Sequence, residues 1–276
     1  KLKERQIVFA EGLVKMKLNL KVVHMTSVHD RTDTRIFHKE CKSLVAEGYS
    51  VSLVVADGKG DSKEQGIEIL DVGKGKGRFD RMSRVTRRVF QKALESGADI
   101  YHFHDPELLP YGWLLKKKGK KVIYDIHEDV PRQILSKPWI PGPLRALVAK
   151  ITEVVENTLV KSLDGLVCAT PKIAERFSKK HRNVVTVCNY PMLSELHDAN
   201  ADWSKKEKAV CYVGGISRIR GIREMVAAAE HIDGVLYLAG PFDSQTEFEY
   251  VSSLPGWKNV RYLGVLDRSG VRDLLN

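Results

Sequence analysis

The chain has 276 residues, is 43% hydrophobic and carries a formal net charge of +10, which is length for two α/β domains and an ordinary core-forming composition. No apolar run approaches the roughly 20 residues of a membrane span, and the amino terminus, KLKERQIVFAEGLVK, lacks the apolar core and small-residue cleavage site of a secretory signal. Cys41, Cys168, Cys188 and Cys211 are scattered without paired spacing, which argues against a disulfide or zinc framework and fits reduced thiols in the cytoplasm.

Residues 1–15 join poorly to the rest of the chain and read as an expression-derived tag or a peripheral extension, while Met16 directly precedes KLNLKVVHMTSVH, which opens like a first strand. From there β and α alternate: a strand from Val22 to Met25, a loop from His29 to Thr34, a helix from Arg35 to Glu47 stopped by Gly48, and a strand from Val51 to Val55. Asp33 or Thr34 supplies the N-cap. A short strand from Ile67 to Val72 leads to GKGKG, whose evenly alternating glycines form a flexible basic loop and not the dinucleotide fingerprint. Lys74 to Lys92 is dense in Lys and Arg, with Phe79, Met82, Val85, Val89 and Phe90 at helical spacing. Such a helix suits an anionic membrane surface, or else covers a sheet and leaves a solvated basic outer face. The positive charge implies an anionic partner, but no zinc-finger spacing or aromatic ribonucleoprotein motif points to nucleic acid.

Residues 99–132, ADIYHFHDPELLPYGWLLKKKGKKVIYDIHEDVPR with its preceding alanine, read as strand, helix, strand. A right-handed crossover makes the two strands parallel. Each strand ends in polar residues, His104-Asp105 in one and His127-Glu128-Asp129 in the other, and ligands bind outside the carboxyl ends of such strands. Taken singly, His102, His104 and His127 read as strand-end residues bonded to backbone; two clusters at neighbouring strand ends favour a site. Alternation puts His102 and His104 on one face, so a metal is a third reading. Pro106 stands where the metallo-hydrolase pattern needs an acid, and no metal is expected.

Pro131 to Pro143 reads as an irregular functional loop, and a helix then runs from about Leu144 to Ser162 with Leu147, Val148, Ile151, Val154, Val155, Thr158 and Leu159 facing inward. Leu166 to Ala169 is a strand, Thr170-Pro171 opens the next helix, and Val184 to Val187 is a further strand closed by Asn189-Tyr190-Pro191. The first domain thus spans residues 16–195. A polar linker occupies 196–208, and 209–276 begins a second βα pattern with strands Ala209 to Val213, Val235 to Ala239 and Val260 to Leu263. The loops GGISRIRG and GPFDS come after the first two of these strands, and a helix opens at Asp267. Three strands bury both faces of a parallel sheet poorly, so the second domain reads as incomplete and the chain as a carboxy-terminally truncated piece.

VGGISRIRG followed by a helix and YLAGP resembles the donor-binding start of the second domain in glycosyltransferase family 4, and HFHDPE with YDIHED resembles the first domain of that family, particularly its bacterial surface-polysaccharide enzymes. The resemblance covers nearly everything from Met16 to Asn276. It implies an α/β, GT-B architecture of two Rossmann-like parallel-sheet domains facing a cleft. It also implies a retaining, metal-independent transfer from a nucleotide-sugar to a glycan or lipid-linked glycan acceptor, as in lipopolysaccharide, O-antigen or exopolysaccharide synthesis. No cofactor beyond the donor substrate is implied. The location would be cytoplasmic, peripheral at the inner face of the cell membrane.

The resemblance implies that His127 is the catalytic residue near the reacting carbon, with Asp105 and Glu128 orienting the acceptor or His127. It implies as well that Gly214, Gly215, Arg218 and Arg220 meet the diphosphate, whose developing charge needs cations or backbone donors, and that Val265 and Leu266 contact the nucleobase. Asn189 matches a structural strand-end asparagine. The chain departs from the family in three places: Gly215 replaces an arginine of the diphosphate clamp, leaving Arg218 or Arg223 to substitute; SVHDRTDTR lacks a glycine pair; and the Glu-x7-Glu motif would lie beyond Asn276. These departures imply weak or absent turnover. The competing readings are a GT-B nucleotide-sugar epimerase and a non-catalytic nucleotide-sugar-binding protein.

Overall fold

The computed structural model describes residues 20–137, 140–192 and 206–276, with 196, 202 and 204. The extension at 1–15, residues 138 and 139 of the Pro131 to Pro143 loop, and most of the 196–208 linker lie outside the described residues. The chain forms two compact units divided between Asn189 and Tyr190.

The first unit is built on an eight-stranded sheet of β1 (Lys21–Met25), β2 (Ser50–Val55), β3 (Ser62–Glu64), β4 (Ile67–Asp71), β5 (Ile100–Phe103), β6 (Lys121–Ile126), β7 (Gly165–Cys168) and β8 (Val184–Thr186). Their order is β3-β4-β2-β1-β5-β6-β7-β8. All neighbours are parallel except the short edge strand β3, which pairs antiparallel with β4 and was not expected from sequence. The chain runs outward from β1 through β2 to β4, then returns to the other side of β1 as β5. A crevice therefore opens at the carboxyl ends of β1 and β5, where the winding reverses.

Alternation along the strands sorts the side chains. On one face Val23, Met25, Tyr101, Phe103, Val122, Tyr124, Ile126 and Leu166 form the main core with Val85, Val89, Leu108, Leu115, Ile173 and Phe177 from the helices. Phe103 and Tyr124 stack with centroids 4.5 Å apart, and a Cβ on Gly112 would meet the Phe103 ring, so the helix Leu109–Lys117 needs glycine there. On the other face Ile36, Phe37 and Cys41 pack on Val51, Leu53, Val55, Ile67 and Ile69.

The basic segment covers the sheet: within Thr86–Glu95 and the turn before it, Val85, Val89 and Ala93 are buried. Of its large apolar side chains, Phe79 and Met82 at the amino-terminal end are exposed. Two expectations are overturned. Part of the Pro131 to Pro143 segment is helical, Val130–Ile134, because Pro131 sits in the first turn where its missing N–H is not needed. The long helix Gly142–Leu159 exposes Leu147, Ile151, Val154 and Val155 instead of burying them; its buried positions are Ala149 and Glu156. The cause is ionic: Arg176 bonds Glu156 at 2.6 Å and Asp129 at 3.1 Å, while Arg132 bonds Glu153 at 3.1 Å, so the polar side of the helix turns inward.

The second unit has a parallel sheet of β9 (Ala209–Val213), β10 (Val235–Ala239) and β11 (Val260–Tyr262) in the order β11-β10-β9. Its core gathers Ile216, Ile222, Val226, Leu236, Leu238 and Val251. Helices Ile222–Ala229, Gln245–Ser252 and Arg268–Leu275 flank it, the last two opened by side-chain caps from Ser244 and Asp267. Among the described residues no helix is long and apolar enough to cross a membrane.

Candidate functional site

At the crevice of the first unit the parallel register sets His24 of β1 beside His102 of β5, with ring centroids 4.6 Å apart. His104 and Asp105 come after β5, while Asp125 closes β6 and His127 lies just beyond it. Asp125 is fully buried and organises the cluster. Its Oδ1 and Oδ2 accept from Arg35 Nη2 and Nε, both at 2.8 Å, and Oδ2 also receives His127 Nε2 at 2.8 Å and His104 Nδ1 at 3.2 Å. Burial raises the Asp125 pKa, but these hydrogen bonds from His104, His127 and Arg35 outweigh it and hold the group well below the carboxylate range. An ionised Asp125 only accepts, so both facing ring nitrogens must carry protons.

That assignment propagates. With Nδ1 protonated, neutral His104 has a lone pair on Nε2, which accepts from His24 Nδ1 at 2.9 Å and leaves the lone pair of His24 on Nε2. Burial keeps all three inner rings neutral: His24 is pushed well down, His102 down to about 3, and His104 down despite Asp125. At the outer edge, His127 is partly exposed and its Nδ1 is the nitrogen not turned to Asp125. It can accept a hydroxyl proton from a ligand, in an orientation set from behind.

Arg35 is brought here by a local device. Asp33 Oδ1 caps the helix start, accepting from Arg35 N at 2.8 Å and Ile36 N at 2.9 Å. The helix begins with wide turns, His38 N–H bonding Asp33 O and Glu40 N–H bonding Arg35 O. Arg35 Nη1 also bonds Val187 O at 2.7 Å, and Lys39 bonds the Asn189 side chain at 2.6 Å.

The loop after β1 wraps Asp105. Thr26 Oγ1 donates to Asp105 Oδ2 at 2.8 Å, joined by Ser27 N and Ser27 Oγ, while His29 Nε2 lies 3.4 Å from Oδ1. Asp105 is therefore buried and occupied in fixing this loop. His29 contacts both Asp33, at 3.2 Å, and the His127 ring, at 5.2 Å between centroids. Glu128 is exposed at the rim. The first unit thus brings together His127 and Asp105 of the expected residues and leaves Glu128 open to solvent. Sequence reasoning missed Arg35, Asp125, His24 and His29. Asp125 stands in the same YDIHED motif as His127 and was within reach; Arg35 needed the fold.

In the second unit the expected residues cluster at the carboxyl rim of its sheet. Gly214 N–H bonds Ala239 O at 2.8 Å, Ile216 N–H bonds Pro241 O at 2.8 Å and Gly240 N–H bonds Gly264 O at 2.7 Å, tying the three loops together. A Cβ on Gly240 would collide with the Gly214 carbonyl, so the loops approach as closely as backbone allows. Gly215 O accepts from Tyr212 Oη at 2.9 Å. Arg218 and Arg220 are both exposed in the turn Arg218–Arg220, which precedes the helix Ile222–Ala229, and Gly221 takes φ +79° between them. Arg223 is bound to Glu247 by bonds of 2.8 and 2.7 Å and stacks on Tyr250, so it is committed elsewhere and Arg218 is the available partner for Arg220. Val265 is exposed and Leu266 half-buried on the loop after β11.

The family model for a glycosyl transferase 4-like domain matches residues 34–189. No curated protein matches the chain. Among solved structures, sucrose-phosphate synthase from Thermosynechococcus elongatus is similar with a TM-score of 0.66 at 15% identity, over 93% of this chain and 73% of that one. HepE from Anabaena in complex with UDP and glucose gives 0.63 at 12% identity, over 90% and 70%. A trehalose-6-phosphate structure from E. coli bound with UDP-2-fluoro glucose gives 0.65 at 13% identity, over 91% and 75%. These likenesses carry the fold, two α/β units of GT-B type, and the domain match carries the family: the chain belongs to the glycosyl transferase 4-like glycosyltransferases.

Proposed function

We propose that the chain transfers a sugar, with retention of configuration and without a metal at the diphosphate, from a nucleotide-sugar to a glycan or lipid-linked glycan acceptor of the kind used in cell-surface polysaccharide synthesis. The observation that carries this reading is His127: a partly exposed imidazole at a strand-end crevice, its Nε2 bound to an ionised, buried Asp125 at 2.8 Å. Such a ring presents one lone pair outward in a fixed direction, the requirement for holding a sugar hydroxyl near a reacting carbon. The donor class is supported by the UDP and UDP-2-fluoro glucose in the structures of similar fold.

Cleavage of the donor places charge on the departing diphosphate. Arg218 and Arg220, exposed beside the backbone N–H groups of a glycine-rich loop, offer that charge two guanidinium groups without an ion. Val265 and Leu266 border the same rim and would meet the base. In the first unit Asp105 would act through the loop it holds, and Glu128, exposed at the rim, would orient the acceptor. The exposed Phe79 and Met82 beside basic residues would rest on an anionic membrane at the inner face of the cell.

Incubating the purified protein with UDP-, GDP- and ADP-sugars, with and without a bacterial membrane extract, tests the reading. Nucleotide released only when extract is present supports transfer. Isomerised donor formed without extract would replace it with epimerisation, and donor binding with neither product would reduce the chain to a binding protein.

A further inference from the structure

Behind the crevice lies a second polar constellation that sugar transfer does not use. His24, Glu40 and His102 border an open pocket of about 400 Å³ between the sheet and the helical segment that carries Glu40, with Leu44, Tyr49 and Ile123 completing much of its wall. His24 and His102 are 0% and 8% exposed, yet His24 Nε2, His102 Nε2 and both oxygens of Glu40 have no hydrogen-bond partner. Buried polar atoms are rarely left so, and four at one place call for a ligand.

The bonding pattern specifies which kind. His24 Nδ1 is already engaged with His104 Nε2 at 2.9 Å, so His24 Nε2 is the nitrogen left without a partner. Glu40 enters the set as a carboxylate, giving up to solvent the proton that burial and Asp125 otherwise hold on it. One potential ligand atom from each of His24, Glu40, His102 and His104 lies within 4.8 Å of the other three. Ligands about 2.1 Å from a tetrahedral metal stand about 3.4 Å apart, so small ring rotations would close the set. Glu40 Oε1 is ion-paired with Arg35 Nε at 3.0 Å, so a bound cation would share that carboxylate with the guanidinium.

We propose that His24, His102, His104 and Glu40 bind one divalent cation of the zinc class, a structural site that pins the helical segment of Glu40 against β1 and β5. Three imidazoles and one carboxylate are borderline ligands that suit Zn²⁺ or Co²⁺ better than Mg²⁺ or Ca²⁺. A set of four protein ligands is closed, so the ion organises the rear of the crevice and takes no part at the diphosphate. The neighbouring group His104, Asp125 and His127 also meets the spacing for an ion, but both Asp125 oxygens already serve Arg35 and the histidines. Binding at the rear set breaks the His24 to His104 hydrogen bond, and His24 keeps its Nδ1 proton because it binds through Nε2.

Chelator-stripped protein titrated with Co²⁺ and read by visible absorption gives the test, with Zn²⁺ added to displace it. The expected result is uptake of about one equivalent with the absorption of a tetrahedral site, reversal by Zn²⁺, and a higher Tm with metal. His102→Gln and Glu40→Gln should each weaken Co²⁺ uptake about tenfold or more, while His181→Gln, remote on the loop before β8, should leave it unchanged. Circular dichroism checks that each variant is folded. Failure of the native chain to take up Co²⁺, or equal uptake by the native chain and both folded variants, overturns the proposal and assigns the pocket to water. If the variants do not fold, the stoichiometry and absorption of the native chain decide alone.

Discussion

Arg35 and Asp125 are separated by 90 residues and joined by two hydrogen bonds of 2.8 Å, with 4% and 0% of their surfaces exposed. This fork ties the start of the first helix to the end of β6, and Asp125 in turn aims His104 and His127. A guanidinium matches both carboxylate oxygens at once, which an ammonium cannot. Arg35→Met leaves Asp125 buried with its charge uncompensated, and should lower stability by about 3–5 kcal/mol in urea unfolding. A loss within the ±0.5 kcal/mol of an ordinary surface change would show the fork to be dispensable.

His127→Ala should reduce kcat by about 10²-fold, the lower range for loss of a positioned acid–base group, with nucleotide affinity unchanged. Asp125→Asn should retain part of the activity, because an amide keeps one acceptor for the ring. Steady-state kinetics beside calorimetric titration with UDP separates the two quantities, and a fully active H127A enzyme would remove His127 from the chemistry.

Arg220→Ala should weaken nucleoside diphosphate binding by about 2 kcal/mol, the scale of a lost hydrogen bond to a charged group. Arg218→Ala should weaken it as well, whereas Arg223→Ala should act on stability through the abandoned Glu247 and leave affinity nearly intact. Equal affinities in native and Arg220→Ala protein would disprove the proposed clamp.

His29 gives a pH dependence. Burial, the largest single influence, lowers its pKa, but the Asp33 hydrogen bond and the charges of Asp105, Asp33 and Glu128 together prevail and raise it. A folded pKa above the unfolded value of about 6.5 means that the folded state binds the extra proton. The stabilisation is complete below the unfolded value and is lost as pH rises through the folded one. Asp33→Asn should lower the His29 midpoint seen by NMR and flatten this loss; an unchanged midpoint would exclude Asp33 as its partner.

Gly240→Ala should destabilise the second unit. Its added Cβ meets the Gly214 carbonyl, and φ +143° is already unfavourable for alanine, at a cost of about 1–3 kcal/mol. Hydrogen exchange should show faster opening of β9 and β10, while β1, β5 and β6 stay protected.

Local pattern was enough for most strands, for the Thr170 and Asp267 caps and for the glycine rim of the second unit, because hydrophobic period, capping and turn chemistry act within a few residues. It was also enough to place His127 at a strand end and to see that the basic segment is helical. It misjudged the face of Gly142–Leu159, because periodicity marks an apolar stripe without stating what lies opposite. Arg176, Arg132 and Asp129 turned the polar side inward, and their position is a result of packing.

The sequence by itself determined the two α/β units, the family motifs and the residue types at each rim. Only the tertiary structure decided that His24 joins His102 and His104 on their shared face, that Arg35 answers Asp125 and that Arg223 is already paired. The first arises from the register of β1 with β5, and register is a property of the assembled sheet. The other two arise from how helices pack, on the sheet in one unit and on each other in the second.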